Sequence, residues 1–323
     1  MYLTKKDSHW EVRAPAKLNL LLEVLSRRDD GFHELETLMV PIGLFDTLSL
    51  RSQAAGRIEL DCQWPSFGKP QGVAVAAGDF DAVPRDRSNL VVRAVELLQK
   101  TAGVAAGAAI RLVKRIPVAA GLGGGSSDAA AALVAASHAW NLGWSRERLS
   151  RLAAQLGSDV PFFLGPSAGH SSGAVCRGRG EKLEAAVHLG HLHFVVVRPP
   201  KGLSTAKVFA ACQAADRHDA ARAASRLVAL LGALQAGKLA LAGRLLHNRL
   251  QQSAAKLSSW IERLQEEFSR LDCLGHQMTG SGTSYFGLCR SARHARCVAA
   301  RLRVRDVRSV YALSSCRLGM PVT

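Results

Sequence analysis

The most informative segment of the sequence is Gly121-Leu122-Gly123-Gly124-Gly125-Ser126-Ser127-Asp128, which lies directly before a run of alanines. A phosphate is held by backbone N–H groups that converge on its oxygens, so side chains must be small and φ must be free to become positive. A helix that begins directly after the loop adds free N–H groups and the positive end of its dipole. The spacing of this glycine run (residues 121–128) therefore predicts an anion at a helix start. A tight strand-to-helix turn without a ligand is the alternative.

Phosphate-binding loops of other classes do not fit the glycine run. A Walker loop requires a lysine that the run lacks. The dinucleotide fingerprint needs Gly or Ala at its sixth position, where Ser126 stands, and an acidic ribose partner about 20 residues later, which is not evident. The H-R-D and D-F-G motifs of protein kinases are absent from the sequence. If the run binds phosphate, it does so as a loop of another class.

The composition is typical of a globular protein with one large or two ordinary domains. The 323 residues are 48% hydrophobic and 21% charged. No run of roughly 18 apolar residues predicts a membrane helix, and residues 1–10 lack the apolar run of a secretory signal. The seven cysteines are scattered without a C-x-x-C pair, so we expect reduced thiols and neither disulfides nor a zinc site. These features predict a cytoplasmic protein.

The net charge of +16 is the one extreme value of the composition. A basic surface attracts phosphate and can bind either nucleic acid or an anionic small molecule. Many late arginines follow a pattern that predicts an amphipathic helix and then a strand, with the charges toward solvent. They are Arg290, Arg293, Arg296, Arg301, Arg303, Arg305 and Arg308. Aromatic residues do not alternate with them, as single-strand binding would require, so we expect an anionic small molecule and no nucleic-acid or membrane partner.

Apolar periodicity predicts that helices alternate with strands in both halves of the chain. The predicted strands are 10–24 (interrupted at 13–16), 38–50, 108–116, 191–197, 275–278 and 285–288. The predicted helices are 89–102, 129–140 and 145–156, followed by long helical stretches near 205–233, 237–249 and 253–270. Residues 64–88, rich in Pro, Gly and Asp, read as an exposed loop or insertion. The predicted class is therefore α+β, with two domains at residues 1–188 and 189–323.

Three further motifs surround the glycine run in a fixed order. They are Lys17-Leu18-Asn19 with Asp30-Gly31-Phe32-His33, then Gly157-Ser158-Asp159-Val160-Pro161-Phe162-Phe163, and then Met278-Thr279-Gly280-Ser281-Gly282-Thr283. This set resembles the GHMP kinases (galactokinase, homoserine kinase, mevalonate kinase and relatives) over most of the chain. Within them it is most similar to the branch that acts on a cytidine diphosphate-linked methylerythritol. The resemblance implies an N-terminal domain like domain 2 of ribosomal protein S5, a ferredoxin-like C-terminal domain, and an active site in the cleft between them.

The resemblance also implies phosphoryl transfer from ATP, with Mg²⁺, to the tertiary 2-hydroxyl of that acceptor, a step of non-mevalonate isoprenoid biosynthesis. Lys17 and Asp159 occupy the family's catalytic positions. The ATP-binding segment is matched by Val118, Ala119, Ala120, Gly121, Leu122, Gly123, Gly124, Gly125, Ser126, Ser127 and Asp128. The acceptor-binding positions are matched by Asn19, Phe32, His33, Thr205 and Phe209.

The implied catalytic roles are chemically reasonable. An aspartate with an ordinary pKa of about 4 cannot hold an alcohol's proton before transfer is under way. In a loose transition state the hydroxyl becomes acidic late, so Asp159 would act mainly by positioning it. Lys17 would orient that carboxylate and offset charge that develops on oxygen. Without the resemblance, an ordinary surface ion pair worth about 0–1 kcal/mol is the alternative.

The implied base pocket needs flat apolar faces and hydrogen bonds to the edge of cytosine. The family stacks the base between two aromatic side chains and reads it with a histidine, which His33 matches. Phe32 stands where tyrosine is usual and keeps the stacking face. Phe209 matches the second aromatic, although its helical spacing would also suit a core residue.

Some positions depart from the family's pattern and leave alternatives open. The 64–88 region is longer than usual, and Arg249 follows Asn248 where an acidic residue is usual within the next few positions. The late loop (residues 280–283) is expected to abut the phosphate site, with a plain turn as the alternative. The rival functions are a GHMP kinase with a homoserine or mevalonate acceptor and a non-catalytic basic nucleic-acid-binding protein. We expect a monomer or a weak homodimer.

Overall fold

The computed structural model describes residues 1–54, 56–64, 83–166, 171–213, 217–304, 307 and 309–318. Its strands are β1 (Tyr2–Lys5), β2 (Trp10–Arg27), β3 (His33–Gln53), β4 (Ile58–Gln63), β5 (Gly107–Val113), β6 (Gly173–Gly178), β7 (Lys182–Ala186), β8 (His193–Arg198), β9 (His247–Asn248), β10 (Gly275–Met278), β11 (Tyr285–Cys289) and β12 (Ser309–Ser314). Its helices are α1 (Leu90–Ala102), α2 (Gly124–Ala139), α3 (Arg146–Ala153), α4 (Val160–Leu164), α5 (Thr205–Ala210), α6 (Arg217–Gln235), α7 (Leu239–Leu245), α8 (Leu250–Leu257), α9 (Ser259–Ser269) and α10 (Ala292–Arg303).

The larger sheet is built around the long antiparallel pair of β2 and β3. Its strand order is β1-β2-β3-β5-β4, with the β6–β7 hairpin paired to β3 and β9 paired to β2 in parallel. The predicted interruption at residues 13–16 is wrong, because β2 runs through them with a register shift between Pro15 and Ala16. Proline cannot donate to the ladder and is tolerated at such a bulge. Beyond the bulge, Lys17 and Asn19 lie two residues apart on one face of the strand.

The smaller sheet has the order β10-β11-β8-β12 and is antiparallel throughout. Buried apolar side chains of both sheets meet in one cluster, which includes Leu18 and Leu38 from the larger sheet and Phe194 and Phe286 from the smaller. Burying these faces against each other is the main force that holds the sheets together. The α+β class predicted from the sequence is confirmed.

Several predicted elements are confirmed together with the residues that end them. The Asn89 side chain accepts from the Val91 N–H and caps α1, which ends at Gly103 with φ +66°. The Ser145 side chain accepts from the Arg148 N–H and caps α3, as predicted. The α10 helix is amphipathic, with its arginines exposed and its apolar residues buried. Strands β8, β10 and β11 lie within two residues of their predicted bounds, and β5 ends three residues before its predicted end.

Other boundaries were predicted wrongly, each for a local reason. Helix α2 begins at Gly124, five residues before its predicted start at 129, because glycine is tolerated in a first turn whose N–H groups need no intrahelical acceptor. The predicted loop at 158–161 contains the start of α4, whose first turn accommodates Pro161. The three long helical stretches are divided, for example at Ser258, whose φ of −153° separates α8 from α9. Residues 65–82 of the predicted 64–88 loop lie outside the described residues.

Candidate active site

A cavity of about 1130 Å³ lies at the N-terminal end of α2. It is lined by β2, the glycine run, the start of α4, the turn between β6 and β7, α5 and the late loop. The predicted site residues that line it are Lys17, Asn19, Phe32, His33, Val118, Ala119, Ala120, Gly121, Leu122, Gly123, Gly124, Gly125, Ser126, Asp128, Asp159, Thr205 and Phe209. Ser127 is the predicted residue that points elsewhere, since it is buried behind the loop.

The glycine run serves two physical purposes. Gly125 is exposed, and a Cβ added to it would have its nearest neighbour 3.8 Å away, so its backbone is open to a ligand at the helix start. By contrast, a Cβ on Gly121 would overlap the Thr279 carbonyl oxygen. Gly121 and Gly123 also have φ of +73° and +72°, where L side chains are strained. The run is glycine-rich partly for phosphate access and partly for close packing of the loop.

Two consecutive glycines each make room for one buried lysine. A Cβ on Gly123 would lie 3.0 Å from Lys17 Cγ, and a Cβ on Gly124 would lie 3.3 Å from Lys114 Nζ. The two lysine side chains therefore pack against the same loop, at neighbouring positions of the α2 N-terminus. Of the two lysines, only Lys17 belongs to a sequence motif.

The Lys17 ammonium lies 3.5 Å from the Asp159 carboxylate. The Lys17 side chain is 4% exposed, whereas that of Asp159 is 35% exposed and reaches the cavity. Lys17 Nζ also donates a hydrogen bond of 2.6 Å to Asn19 Oδ1. The alternative of an ordinary surface ion pair does not describe this pair, because the ammonium is buried and held by a second partner.

The second lysine, Lys114, lies between two buried carboxylates. Its ammonium is 2.5 Å from Asp46 and 2.6 Å from Asp128. The Asp46 carboxylate also accepts from the backbone N–H groups of Arg115 and Ile116, whereas Asp128 Oδ1 has no partner among the described residues. Burial raises the pKa of Asp128 to about 8, against the opposing effect of Lys114. The Asp128 carboxyl therefore takes up a proton more readily than an ordinary aspartate does.

Sequence reasoning missed Lys114 and Asp46 as neighbours of the site. They are 68 residues apart, and neither belongs to a recognisable motif. Asp128 was predicted to bind ATP, and its side chain lines the cavity while it contacts Lys114. The triad of Asp46, Lys114 and Asp128 ties β3 and the segment after β5 to the second turn of α2.

Aromatic side chains gather at the opposite end of the cavity. The rings of His33 and Phe209 lie 5.1 Å apart at 31°. Phe32 is 48% exposed, and the Arg179 guanidinium lies 4.6 Å from its ring centre. Burial, reinforced by the nearby Arg27 cation, lowers the pKa of His33. Arg179 lies in the β6–β7 turn, outside every motif, and the sequence offered no signal for it.

The late loop abuts the glycine run, as expected from the sequence. The Ser284 N–H donates to the Ala120 carbonyl oxygen at 3.1 Å. Ser281 Oγ lies 2.8 Å from Thr205 Oγ1, which connects the loop to α5. Asn248, which no motif identified as functional, donates from Nδ2 to the carbonyl oxygens of Met278 and Gly280. The loop is thus fixed from three sides.

Comparison with known proteins agrees with these motifs. Residues 89–165 match the N terminal domain of the GHMP kinases, and residues 230–305 match their C terminal domain. A 4-diphosphocytidyl-2-C-methyl-D-erythritol kinase of Pelotomaculum thermopropionicum is 43% identical over 293 residues, which are 91% of this chain and 93% of the relative. The chain belongs to the GHMP kinase family. The resemblance predicted from the motifs is confirmed for this GHMP kinase, down to the branch of that relative.

Solved structures of two kinases with different acceptors share this fold but differ in their sequence identity to this chain. A crystal structure of 4-(cytidine 5'-diphospho)-2C-methyl-D-erythritol kinase matches this GHMP kinase with a TM-score of 0.72 and 34% identity, over 94% of this chain and 98% of the other. A homoserine kinase from Cytophaga hutchinsonii matches with the same TM-score of 0.72 but 16% identity, over 98% and 97%. The fold is shared across kinases with different acceptors, so the acceptor must be argued from the site residues.

The described part of this GHMP kinase contains neither a metal-binding cluster of acidic, His or Cys side chains nor a membrane-spanning helix. No group of three or more His, Cys, Asp or Glu side chains there could hold a metal ion. None of the helices there combines the length and apolar character that a membrane crossing requires.

Proposed function

We propose that the protein transfers the γ-phosphoryl group of ATP to the 2-hydroxyl of 4-diphosphocytidyl-2-C-methyl-D-erythritol, giving the 2-phosphate and ADP. This is a step of non-mevalonate isoprenoid biosynthesis. One observation carries the proposal: a helix N-terminus behind a glycine run, a Lys–Asp pair and a His–Phe ring pair share one cavity. The names of the relatives support the same acceptor.

The glycine run would bind the phosphates of ATP. Gly125 leaves its backbone N–H open at the first turn of α2, where the helix dipole favours an anion. Mg²⁺ fits the donor set, because this ion keeps several waters and takes phosphate oxygens, needing few protein ligands. Ser126 lines the cavity at the loop and would supply a hydroxyl oxygen to it. When bound, the ion would offset negative charge on the transferring phosphoryl group.

Lys17 and Asp159 would act on the acceptor hydroxyl. The exposed part of the Asp159 carboxylate would accept a hydrogen bond from the hydroxyl, orient it toward the γ-phosphorus, and take its proton late in the transfer. Lys17 lies too deep to bind solvent freely, so its fixed charge would stabilise negative charge that develops on the oxygens. Lys17 packs beside Gly123, at the start of the phosphate-binding helix, and Asp159 lines the same cavity.

The aromatic end of the cavity would bind the cytidine. Its ring-lined walls are formed by Phe32 and Phe209, and His33 offers a ring nitrogen to the edge of the base. A lowered pKa keeps His33 neutral near pH 7, so one of its ring nitrogens can donate and the other can accept. The Arg179 cation lines the same end and suits the negative charge of a diphosphate. An acceptor without a base, such as homoserine or mevalonate, would leave these groups unused.

We also propose the wider setting of the reaction. The division into domains at residues 1–188 and 189–323 is supported by the two family matches, which fall on either side of it. The cytoplasm, where ATP is available, is the proposed location. A monomer or a weak homodimer is the proposed oligomeric state.

The proposal is tested by ATP consumption with each candidate acceptor in turn. We expect turnover with the cytidine-linked methylerythritol and not with homoserine or mevalonate. Asp159→Asn should lower kcat by roughly 10²–10⁴-fold, whereas Asp61→Asn, on exposed β4 away from the cavity, should not. If none of the acceptors supports ATP consumption, the kinase proposal is wrong. If Asp159→Asn consumes ATP at the wild-type rate, the role proposed for that carboxylate is wrong.

The alternative hypothesis, a nucleic-acid-binding protein, explains the net charge of +16 differently and makes a different prediction. Such a protein would bind a polynucleotide with an affinity that falls steeply with salt, because counterions are released. We expect weak binding without sequence preference and no effect of polynucleotide on ATP turnover. Tight binding in physiological salt, with no turnover of any acceptor, would favour the rival.

A further inference from the structure

A string of buried polar side chains connects the late part of the chain with Lys17. Its first link is the hydrogen bond from Lys17 Nζ to Asn19 Oδ1 at 2.6 Å, which is shorter than the 3.5 Å between Nζ and Asp159. The ammonium therefore leans toward the neutral amide and away from the carboxylate. Asn19 is 2% exposed, so its amide is almost wholly committed inside the protein.

The orientation of the Asn19 amide is fixed by two threonines. Asn19 Nδ2 donates to Thr37 Oγ1 at 2.9 Å, and that hydroxyl donates onward to the Leu21 carbonyl oxygen. On the other side, Thr279 Oγ1 accepts from the Asn19 backbone N–H at 3.0 Å and donates to Asn19 Oδ1 at 3.3 Å. An amide nitrogen only donates and an amide oxygen only accepts, so both threonines direct Oδ1 toward Lys17.

Thr279 is itself held by groups that do not belong to β2. Its N–H donates to the Ser284 carbonyl oxygen at 3.0 Å, and its carbonyl oxygen accepts from the Gly282 N–H at 3.1 Å. The carbonyl groups on either side of it both accept from Asn248 Nδ2 at 2.9 Å. The Thr279 hydroxyl is thus a rigid point from which the Asn19 amide can be aimed.

We infer that Thr279 is a positioning residue for phosphoryl transfer, because it fixes the Asn19 amide that keeps the Lys17 ammonium from closing onto Asp159. The inference rests on the proposed function of the same site. A lysine stem has four rotatable carbons, and a freed ammonium would move to the nearest carboxylate. A tighter ion pair would occupy the Asp159 oxygen that must face the acceptor hydroxyl. The sequence predicts that Asn19 contacts the acceptor. In this arrangement its side-chain oxygen accepts a hydrogen bond from Lys17.

Thr279→Val tests the inference with a side chain of nearly the same shape and no hydroxyl. We expect kcat to fall about 10–100-fold, since small misplacements of catalytic groups have effects of that size. The KM values for ATP and acceptor should change by less than about threefold, because Thr279 is fully buried and does not line the cavity. Thr279→Ser, which keeps the hydroxyl and loses a methyl, should restore most of kcat. Thr47→Val is the matched control, since it removes a hydroxyl that accepts from Arg115 away from the cavity.

A spectroscopic readout separates this inference from the proposed function. With ¹³Cε-labelled lysine, the Lys17 resonance, assigned through Lys17→Arg, should shift or broaden in Thr279→Val and stay unchanged in Thr279→Ser and Thr47→Val. Wild type without acceptor turnover would remove the proposed function, and the Lys17 resonance would still decide the inference. An unchanged resonance in Thr279→Val, or equal kcat values in the Val and Ser variants, would overturn it. If Thr279→Val does not fold, Thr279→Ala against Thr279→Ser provides the same comparison.

Discussion

Lys17 and Lys114 are both buried against the glycine run, yet their surroundings differ in the way that matters for chemistry. Lys114 is 3% exposed and has two carboxylates within 2.6 Å. Lys17 is 4% exposed and has one carboxylate at 3.5 Å, together with a neutral amide at 2.6 Å. The charge of Lys114 is neutralised by two carboxylates inside the protein, whereas Lys17 has a single carboxylate at a longer distance.

The difference shows that burial does not by itself mark a catalytic lysine. A buried ammonium with two close carboxylates is a structural crosslink, because a third anion would find no unmatched charge there. A buried ammonium whose single carboxylate reaches a cavity can still respond to charge that develops on a substrate. Substitutions at the two lysines should therefore separate stability from catalysis.

The largest effect expected is on stability, in Lys114→Met. The substitution leaves two carboxylates buried without their cation, and breaking a buried pair in this way costs about 3–5 kcal/mol in the free energy of unfolding. Urea denaturation of wild type and variant measures the change. The double variant Lys114→Met with Asp128→Asn should recover part of the loss, since one uncompensated charge is removed. A Lys114→Met protein of wild-type stability would contradict the structural role.

Lys17→Met should have the opposite effect, a large loss of kcat with a smaller loss of stability. We expect kcat to fall about 10²–10³-fold, as for the loss of a preorganised charge beside a transition state. The free energy of unfolding should change less than in Lys114→Met, because Asp159 is partly exposed and can be solvated when its partner is lost. Steady-state kinetics and urea denaturation on the same preparations make the comparison. If both variants lost stability equally and kept kcat per folded molecule, the distinction between the lysines would fail.

The neighbouring glycines allow a finer test on the side of Lys17. An alanine at Gly123 would be strained at φ +72° and would bring its Cβ to 2.8 Å from Phe163 and 3.0 Å from Lys17. Gly123→Ala should therefore lower kcat about tenfold or more by displacing Lys17. Gly125→Ala meets nothing closer than 3.8 Å, so it should act on the KM for ATP and leave kcat nearly unchanged. Equal effects of the two variants on kcat would contradict this division.

The smallest effect concerns pH at the aromatic end of the cavity. The pKa of His33 is lowered from 6.5, chiefly by burial and further by Arg27, so the ring is neutral above that pH and takes up a proton only below it. The KM for the acceptor should stay flat as pH falls from about 8 and rise only below the usual histidine range. Arg27→Gln should move the rise to higher pH, and the KM for ATP serves as the internal control. A KM that rises equally for both ligands would mean that His33 does not read the base.

Much of this arrangement follows from the sequence, and the remainder depends on contacts between distant segments. The glycine run, Lys17, Asp159 and His33 were predicted because each stands in a motif, and α1 and α3 because side chains cap them. The start of α2 was misplaced because its first turn consists of residues that are poor helix formers elsewhere.

Other features left no local pattern in the sequence. The pairing of Lys114 with Asp46 spans 68 residues, and β9 is only two residues long. Thr279 lies 260 residues from Asn19, so its contact with that amide exists only in the folded chain. Such contacts depend on which side chains the fold brings together, which periodicity does not specify.

The placement of Gly123 on Lys17 and of Gly124 on Lys114 fixes the length of the loop between Ile116 and α2. Inserting one residue there would bring Leu122 to the position that faces Lys17, where only glycine fits. Deleting one residue would bring Gly125 to the position that faces Lys114 and would shift the neighbours of the loop by one residue. Both lysines would be displaced together, and the protein would lose its stability and its chemistry at the same time. Length variation among natural or engineered relatives should therefore be found in other loops and not between Ile116 and α2.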